Sequence, residues 1–126
     1  MSPDVKSIQC IPELNEVGEL RGDGEVEVSL QLDIYYGRGK GTDIFSIDLV
    51  SKSTLASIDN PNIRKYYVLR PDQTVLQAVS SIQRGVEGIR AESAEQLLFM
   101  LAEVFDWEFS KIGFGGFFWR LGCDIN

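Results

Sequence analysis

The sequence predicts an α+β protein in which an antiparallel sheet of about four strands carries two C-terminal helices packed on one face. Two observations lead to this prediction. Residues 25–50 have the pattern of a long β-hairpin, because apolar and polar side chains alternate on two arms that flank a glycine-rich turn. Beyond residue 71, apolar residues instead recur at spacings of three and four, which is the period of an amphipathic helix.

The hairpin supplies two strands and most of one apolar sheet face. Its apolar residues are Val26, Val28, Leu30, Leu32 and Ile34 on the first arm, and Phe45, Ile47 and Leu49 on the second. Successive side chains of a strand point to opposite faces, so this set defines a face that other elements must cover. The turn segment 37–42, GRGKGT, lacks the Ser or Thr that follows the lysine of a phosphate-binding loop, and a strand follows it. A hairpin turn is therefore predicted.

Two further strands are predicted at 5–11, with Ile8 and Cys10 facing inward, and at 64–70, ended by Pro71. Residues 12–24 are predicted to form a loop, and 54–58 a single helical turn.

The two helices are predicted at 72–88, with Asp72 as the N-cap, and at 93–105, where Ser93 and Gln96 have capping-box spacing. The buried face of the second helix is predicted to contain Leu97, Leu98, Leu101, Val104 and Phe105. Trp107 follows this face directly and is predicted to be a core residue.

Composition limits the classes of function. The 126 residues fit a single domain, 1–126, and the net charge of −7 argues against nucleic-acid binding, which requires neutralisation of phosphates. The chain has no histidine, which excludes Ser-His-Asp catalysis and histidine-based metal sites, and we predict no metal and no cofactor. No apolar run approaches membrane-spanning length and no signal peptide is evident, so we expect a cytoplasmic protein with reduced cysteines and no membrane partner.

The best candidate binding surface is an acidic segment, defined as residues 13–27, in which Arg21 is the only cation. Its acidic residues are Glu13, Glu16, Glu19, Asp23, Glu25 and Glu27. One interpretation is a solvated loop; the other is a recognition surface for a basic protein. A second acidic surface, with Glu87, Glu92, Glu95 and Glu103, is predicted on the helices.

Carboxylate pairs are the only candidates for catalysis. Asp43 with Asp48, and Asp106 with Glu108, could supply an acid and a base, but each residue also has an ordinary structural explanation. We predict no catalytic residue. The glycine-rich, aromatic tail, residues 110–126, is predicted to return to the sheet edge or core margin, with self-association as the alternative.

Three stretches resemble the immunity protein 8 family of bacterial polymorphic toxin systems. The first is 41–45, GTDIF, together with the following Ile47 and Leu49. The second is 72–86, which has an acidic start before spaced aliphatic residues, and the third is 105–109, FDWEF. The similarity covers roughly residues 5–109. The family often has a tryptophan early in the second helix, where this chain has Ala94 or its neighbours, and the tail runs past the family's usual end.

The resemblance implies a non-enzymatic immunity protein, an antitoxin that binds and neutralises a cognate toxin domain, often a basic one, in the cytoplasm. Complementary charge would speed association between two such proteins. Two alternatives remain: a small enzyme that uses carboxylates, and a non-catalytic adaptor that forms a homodimer through the tail.

Overall fold

A computed structural model describes residues 1–37 and 39–109, which fold around one five-stranded sheet. The elements in chain order are β1 (Asp4–Ile11), α1 (Leu14–Val17), β2 (Glu27–Tyr35), β3 (Asp43–Val50), α2 (Lys52–Ala56), a 3₁₀ turn (Pro61–Ile63), β4 (Tyr66–Val68), α3 (Val75–Glu87), α4 (Ala94–Val104) and β5 (Asp106–Trp107). The sheet order is β1-β2-β3-β4, and β5 also pairs with β3. The predicted α+β class, with a largely antiparallel sheet and two C-terminal helices, is confirmed.

The predicted hairpin forms the centre of the sheet. β2 and β3 pair antiparallel, with Leu30 opposite Ile47 and Leu32 opposite Phe45. Leu30, Leu32 and Phe45 have no exposed surface, because α3 and α4 add their own apolar residues to the same core. Gly37 and Gly39 have φ angles of 90° and 70°, a region that glycine enters without steric cost, which confirms a turn at this point. Arg38 lies outside the described residues.

The strand predicted at 5–11 forms as β1, which pairs antiparallel with β2, and a bulge interrupts the register between Val5 and Ser7. Cys10 is buried, whereas Ile8 is only half-buried against the core. Burial raises the pKa of the Cys10 thiol, because a low-dielectric environment disfavours the thiolate. Cys123 lies outside the described residues.

β4 is shorter than the predicted strand and runs parallel to β3, not antiparallel. Parallel neighbours require a connection that crosses a face of the sheet. Residues 51–65 make this connection, with α2 and the 3₁₀ turn inside it. The three-residue pairing places Tyr66 beside Asp48 and Val68 beside Val50.

This connection also changes the environment of Asp48, whose position in the alternation of β3 places it on the face opposite the apolar one. The residue does point away from the helices, yet it is only 6% exposed. Arg64 Nη1 donates to Asp48 Oδ2 at 3.1 Å, and Ser29 Oγ donates to Asp48 Oδ1 at 3.0 Å. Val50, on the same face, is fully buried. The chain segment that leads into β4 therefore covers this end of the outer face.

α3 begins later than predicted, and its N-cap is Thr74, not Asp72. Thr74 Oγ1 accepts from the Gln77 backbone N–H at 3.1 Å, and Gln77 Oε1 accepts from the Thr74 N–H at 2.9 Å. This reciprocal pair is a capping box and satisfies two N–H groups that the helix leaves open. Asp72 lies two residues too early and is exposed beside Arg70.

α4 begins after Ser93, whose hydroxyl accepts from the Gln96 N–H, but the Gln96 side chain bonds to the Glu92 N–H. The predicted buried face is confirmed for Leu97, Leu98, Leu101 and Phe105 and is wrong for Val104, which is 51% exposed. Val104 is the last helical residue, and the extended backbone of Phe105 turns the chain into β5. Val104 lies beside Leu97 at the edge of the buried face, and on the last turn of the helix it stays exposed.

Candidate functional site

The acidic segment begins with a short helix where the sequence predicted only loop. α1 buries Val17 and packs Leu14 against the core, and Glu13 occupies its N-cap position. A helix of four residues carries too little periodicity to be recognised in a sequence. Glu13 and Glu16 consequently project from an ordered turn whose apolar side is anchored.

The next part of the acidic segment is tied to the start of α3. The Gly22 N–H donates to the Gln73 carbonyl at 3.0 Å, and the Val75 N–H donates to the Leu20 carbonyl at 2.9 Å. A Cβ atom at position 22 would lie 2.1 Å from the Arg70 carbonyl oxygen, so only glycine permits this approach. These bonds fix the backbone between Glu19 and Asp23.

The end of the acidic segment is anchored through Val26, which is 1% exposed. Its N–H donates to Ser51 Oγ at 3.1 Å, and its carbonyl accepts from the Ser51 N–H at 3.1 Å. Glu25 and Glu27 flank this anchor and point to the opposite side of the strand. They line an open cavity of about 380 Å³ together with Ser53, Thr54 and Ser57.

All six predicted binding residues are exposed. They are Glu13, Glu16, Glu19, Asp23, Glu25 and Glu27. In residues 1–37 and 39–109, ion pairs join Lys6 to Asp4, Arg64 to Asp48 and Arg70 to Asp72, and none includes these six. Their charges are therefore not neutralised within the described chain, and the structure places them on one continuous, anchored stretch.

The acidic residues of the helices are equally exposed, and two cations lie beside them. The Glu87 carbonyl accepts from Arg90 Nη1 at 2.9 Å, and the Glu103 carbonyl accepts from Lys65 Nζ at 3.2 Å. A basic partner that approaches this surface would meet those cations as well. Exposure does not separate the two surfaces, and neither does pairing, because none of the ion pairs in the described residues includes an acidic residue of either surface and Arg21 lies within the acidic segment.

The structure does not bring the carboxylate pairs together as an acid and a base. Asp43 and Asp48 lie five residues apart on β3 and so point to opposite faces of the sheet. Asp106 Oδ2 accepts from the Lys65 N–H at 3.0 Å, and Glu108 Oε2 accepts from the Ile44 N–H at 2.6 Å. Each of these last two carboxylates holds a neighbouring backbone segment.

One cluster was missed by sequence analysis, at the end of the sheet where β3 begins. Asp43 Oδ2 accepts from Tyr36 Oη at 2.6 Å and from Trp107 Nε1 at 3.0 Å. Tyr36 continues the inward alternation of β2 by one position, so the pattern could have identified it. The meeting with Trp107 depends on the pairing of β5 with β3 and has no local sequence signal.

The part of the chain that the structure describes holds no group of three or more Cys, Asp or Glu residues placed to bind a metal. Within the same residues, no helix is long and apolar enough to cross a membrane. The predictions for the tail, residues 110–126, fall outside the described chain.

Comparison with known proteins gives no match to a family model, a curated protein or a solved structure. The resemblance to the immunity protein 8 family therefore stays a prediction.

Proposed function

We propose that this protein is a non-enzymatic immunity protein that binds and neutralises a basic toxin domain through the acidic segment. The observation that carries the proposal is that six exposed carboxylates lie on an anchored stretch, without an ion pair in the described residues. The sequence resemblance supplies the class of partner, and the charge supplies the mode of contact.

Charge of this kind acts mainly on the rate of association. A surface of one sign raises the local concentration of an oppositely charged partner, and the effect falls as salt screens it. Because the backbone of the segment is already ordered by Val17, Gly22 and Val26, binding would order few additional residues. Inhibition then requires only that the bound protein occupy the toxin's basic cleft.

The test reverses Glu19, Asp23 and Glu25 to Lys and measures binding to the product of the gene immediately upstream. Association should slow by about ten-fold or more at low salt, and its dependence on salt should become weaker. Cells that express both the toxin and this variant should then no longer grow.

The matched control reverses Glu87, Glu92 and Glu95 to Lys, because it changes the net charge of the protein by the same amount. This control variant should bind and protect nearly as the parent does. If the variant with Glu87, Glu92 and Glu95 reversed loses binding and the variant of the acidic segment does not, the toxin docks on the helices. If neither variant differs from the parent at physiological salt, charge does not direct the interaction and the proposal is wrong.

A further inference from the structure

The cluster at the start of β3 lines a cavity with three aromatic rings and one carboxylate. Tyr36, Asp43, Trp107 and Phe109 surround an open space of about 390 Å³. Tyr36 is almost completely buried and forms the floor, whereas Trp107 is half-buried and Phe109 is 41% exposed. We call this arrangement the aromatic cavity. Asp43, Trp107 and Phe109 lie in the stretches 41–45 and 105–109 that carry the resemblance, whereas the acidic segment includes none of the four lining residues.

The walls of the aromatic cavity are held in place before any ligand arrives. The Trp107 and Phe109 rings stand at 75° to each other with centroids 5.3 Å apart, so they form two sides of a corner. Glu108, between them, bonds twice to Ile44: its carboxylate accepts from the Ile44 N–H, and its own N–H donates to the Ile44 carbonyl at 3.0 Å. These bonds fix the segment that carries both rings.

The chemistry of the lining selects a cation. The face of an aromatic ring carries negative electrostatic potential and attracts ammonium and guanidinium groups. Tyr36 and Trp107 are neutral donors, and their hydrogen bonds orient the Asp43 carboxylate without adding a positive charge beside it. None of the ion pairs in residues 1–37 and 39–109 includes Asp43. A cation inside the cavity would therefore meet aromatic rings and an oriented negative charge together.

We infer that the aromatic cavity binds a lysine or arginine side chain of a protein partner. The inference rests on the proposed function for the nature of the partner, a basic protein. Among residues 1–37 and 39–109 the cavity is open beside exposed Phe109, which suits a side chain that enters from another protein surface. Asp43 begins β3, and Glu27 of the acidic segment pairs with Val50 at the other end of that strand. At about 3.3 Å per strand residue the two sites are roughly 23 Å apart. The cavity is thus a second contact, separate from the acidic segment.

The test uses the Trp107 indole N–H as a reporter in NMR spectra of the ¹⁵N-labelled full chain. This group donates to Asp43 Oδ2 and will respond when a cation approaches the carboxylate. The chain has two tryptophans, and a Trp119→Phe variant assigns the two indole signals. The probes are N-acetyl-arginine amide and N-acetyl-lysine amide at up to roughly 100 mM, the range expected for a single weak contact. N-acetyl-citrulline amide is the neutral control, and choline tests a free small-molecule source.

The two cationic amides should move the Trp107 signal in a saturable manner, and citrulline amide should not. Asp43→Asn, which keeps an acceptor for both donors, and Phe109→Ala, which removes an exposed wall, should each weaken binding by about two- to five-fold. Phe99→Ala is the matched control, because Phe99 is 53% exposed on α4 and does not line the cavity. It should leave the titration unchanged.

Three results would overturn the inference. They are no movement of the Trp107 signal with either cationic amide, an equal response to citrulline amide, and binding of choline that exceeds that of both amides. The titration contains no toxin, so its failure leaves the proposed function intact. Conversely, the Glu19, Asp23 and Glu25 reversal should not change the Trp107 response.

Discussion

Replacement of Trp107 by alanine should destabilise the protein by about 3 kcal/mol, of which packing supplies the larger part. A fully buried tryptophan costs about 3–5 kcal/mol when truncated, and Trp107 is half-buried at the margin of the core, so roughly half of that applies, about 2 kcal/mol. The lost hydrogen bond from Nε1 to Asp43 adds about 1 kcal/mol. The sequence predicted Trp107 to be a core residue. The structure places it half-buried at the core margin, opposite Phe45 on β3.

Urea denaturation followed by circular dichroism measures this change, and Trp107→Phe separates the two contributions. Phenylalanine keeps a six-membered ring beside Phe109 but loses the N–H donor and the smaller ring of the indole, so it should cost about 1–2 kcal/mol. A Trp107→Ala protein that loses less than about 1 kcal/mol would refute the assigned burial. If the phenylalanine variant is as unstable as the alanine variant, the ring contributes nothing and the reasoning about packing is wrong.

Two other predictions concern groups that the fold buries. Arg64→Ala should cost about 1–2 kcal/mol, because the Arg64 side chain is half-exposed but the side chain of its partner Asp48 is 8% exposed and would remain charged under the crossing connection. Arg70→Ala should cost less than about 0.5 kcal/mol, because the side chain of its partner Asp72 is 84% exposed. Equal thermal shifts of the two variants would contradict this difference. Burial raises the pKa of Cys10, so the unfolded chain ionises this thiol first as pH rises. The contribution of the thiol to stability should be complete below the ordinary cysteine pKa and should fall above it. The urea midpoint of Cys10→Ala should therefore lack this alkaline decrease. An unaltered alkaline profile in Cys10→Ala would show that the thiol does not contribute.

Much of the candidate site could be predicted from the sequence because its signals are local. The six carboxylates of residues 13–27 are visible as charge, and Glu25 and Glu27 fall on the polar side of a strand that alternates regularly. Their anchoring was not predictable, since it depends on Gln73 and Ser51, which are distant in sequence. The aromatic cavity was not predictable for the same reason, because Trp107 reaches Asp43 only through the pairing of β5 with β3.

The sequence by itself determined the faces of the hairpin and the two helical stripes, because periods of 2 and 3.6 are set by the geometry of each element. Those periods also determined which residues enter the core, up to the point where α4 ends at Val104. Only the tertiary structure decided that β4 runs parallel to β3, that Asp48 is covered, and that Trp107 meets Asp43. Each of these results depends on the path of a connection or on pairing between distant strands. Such choices are made by the packing of the whole chain, and no single segment encodes them.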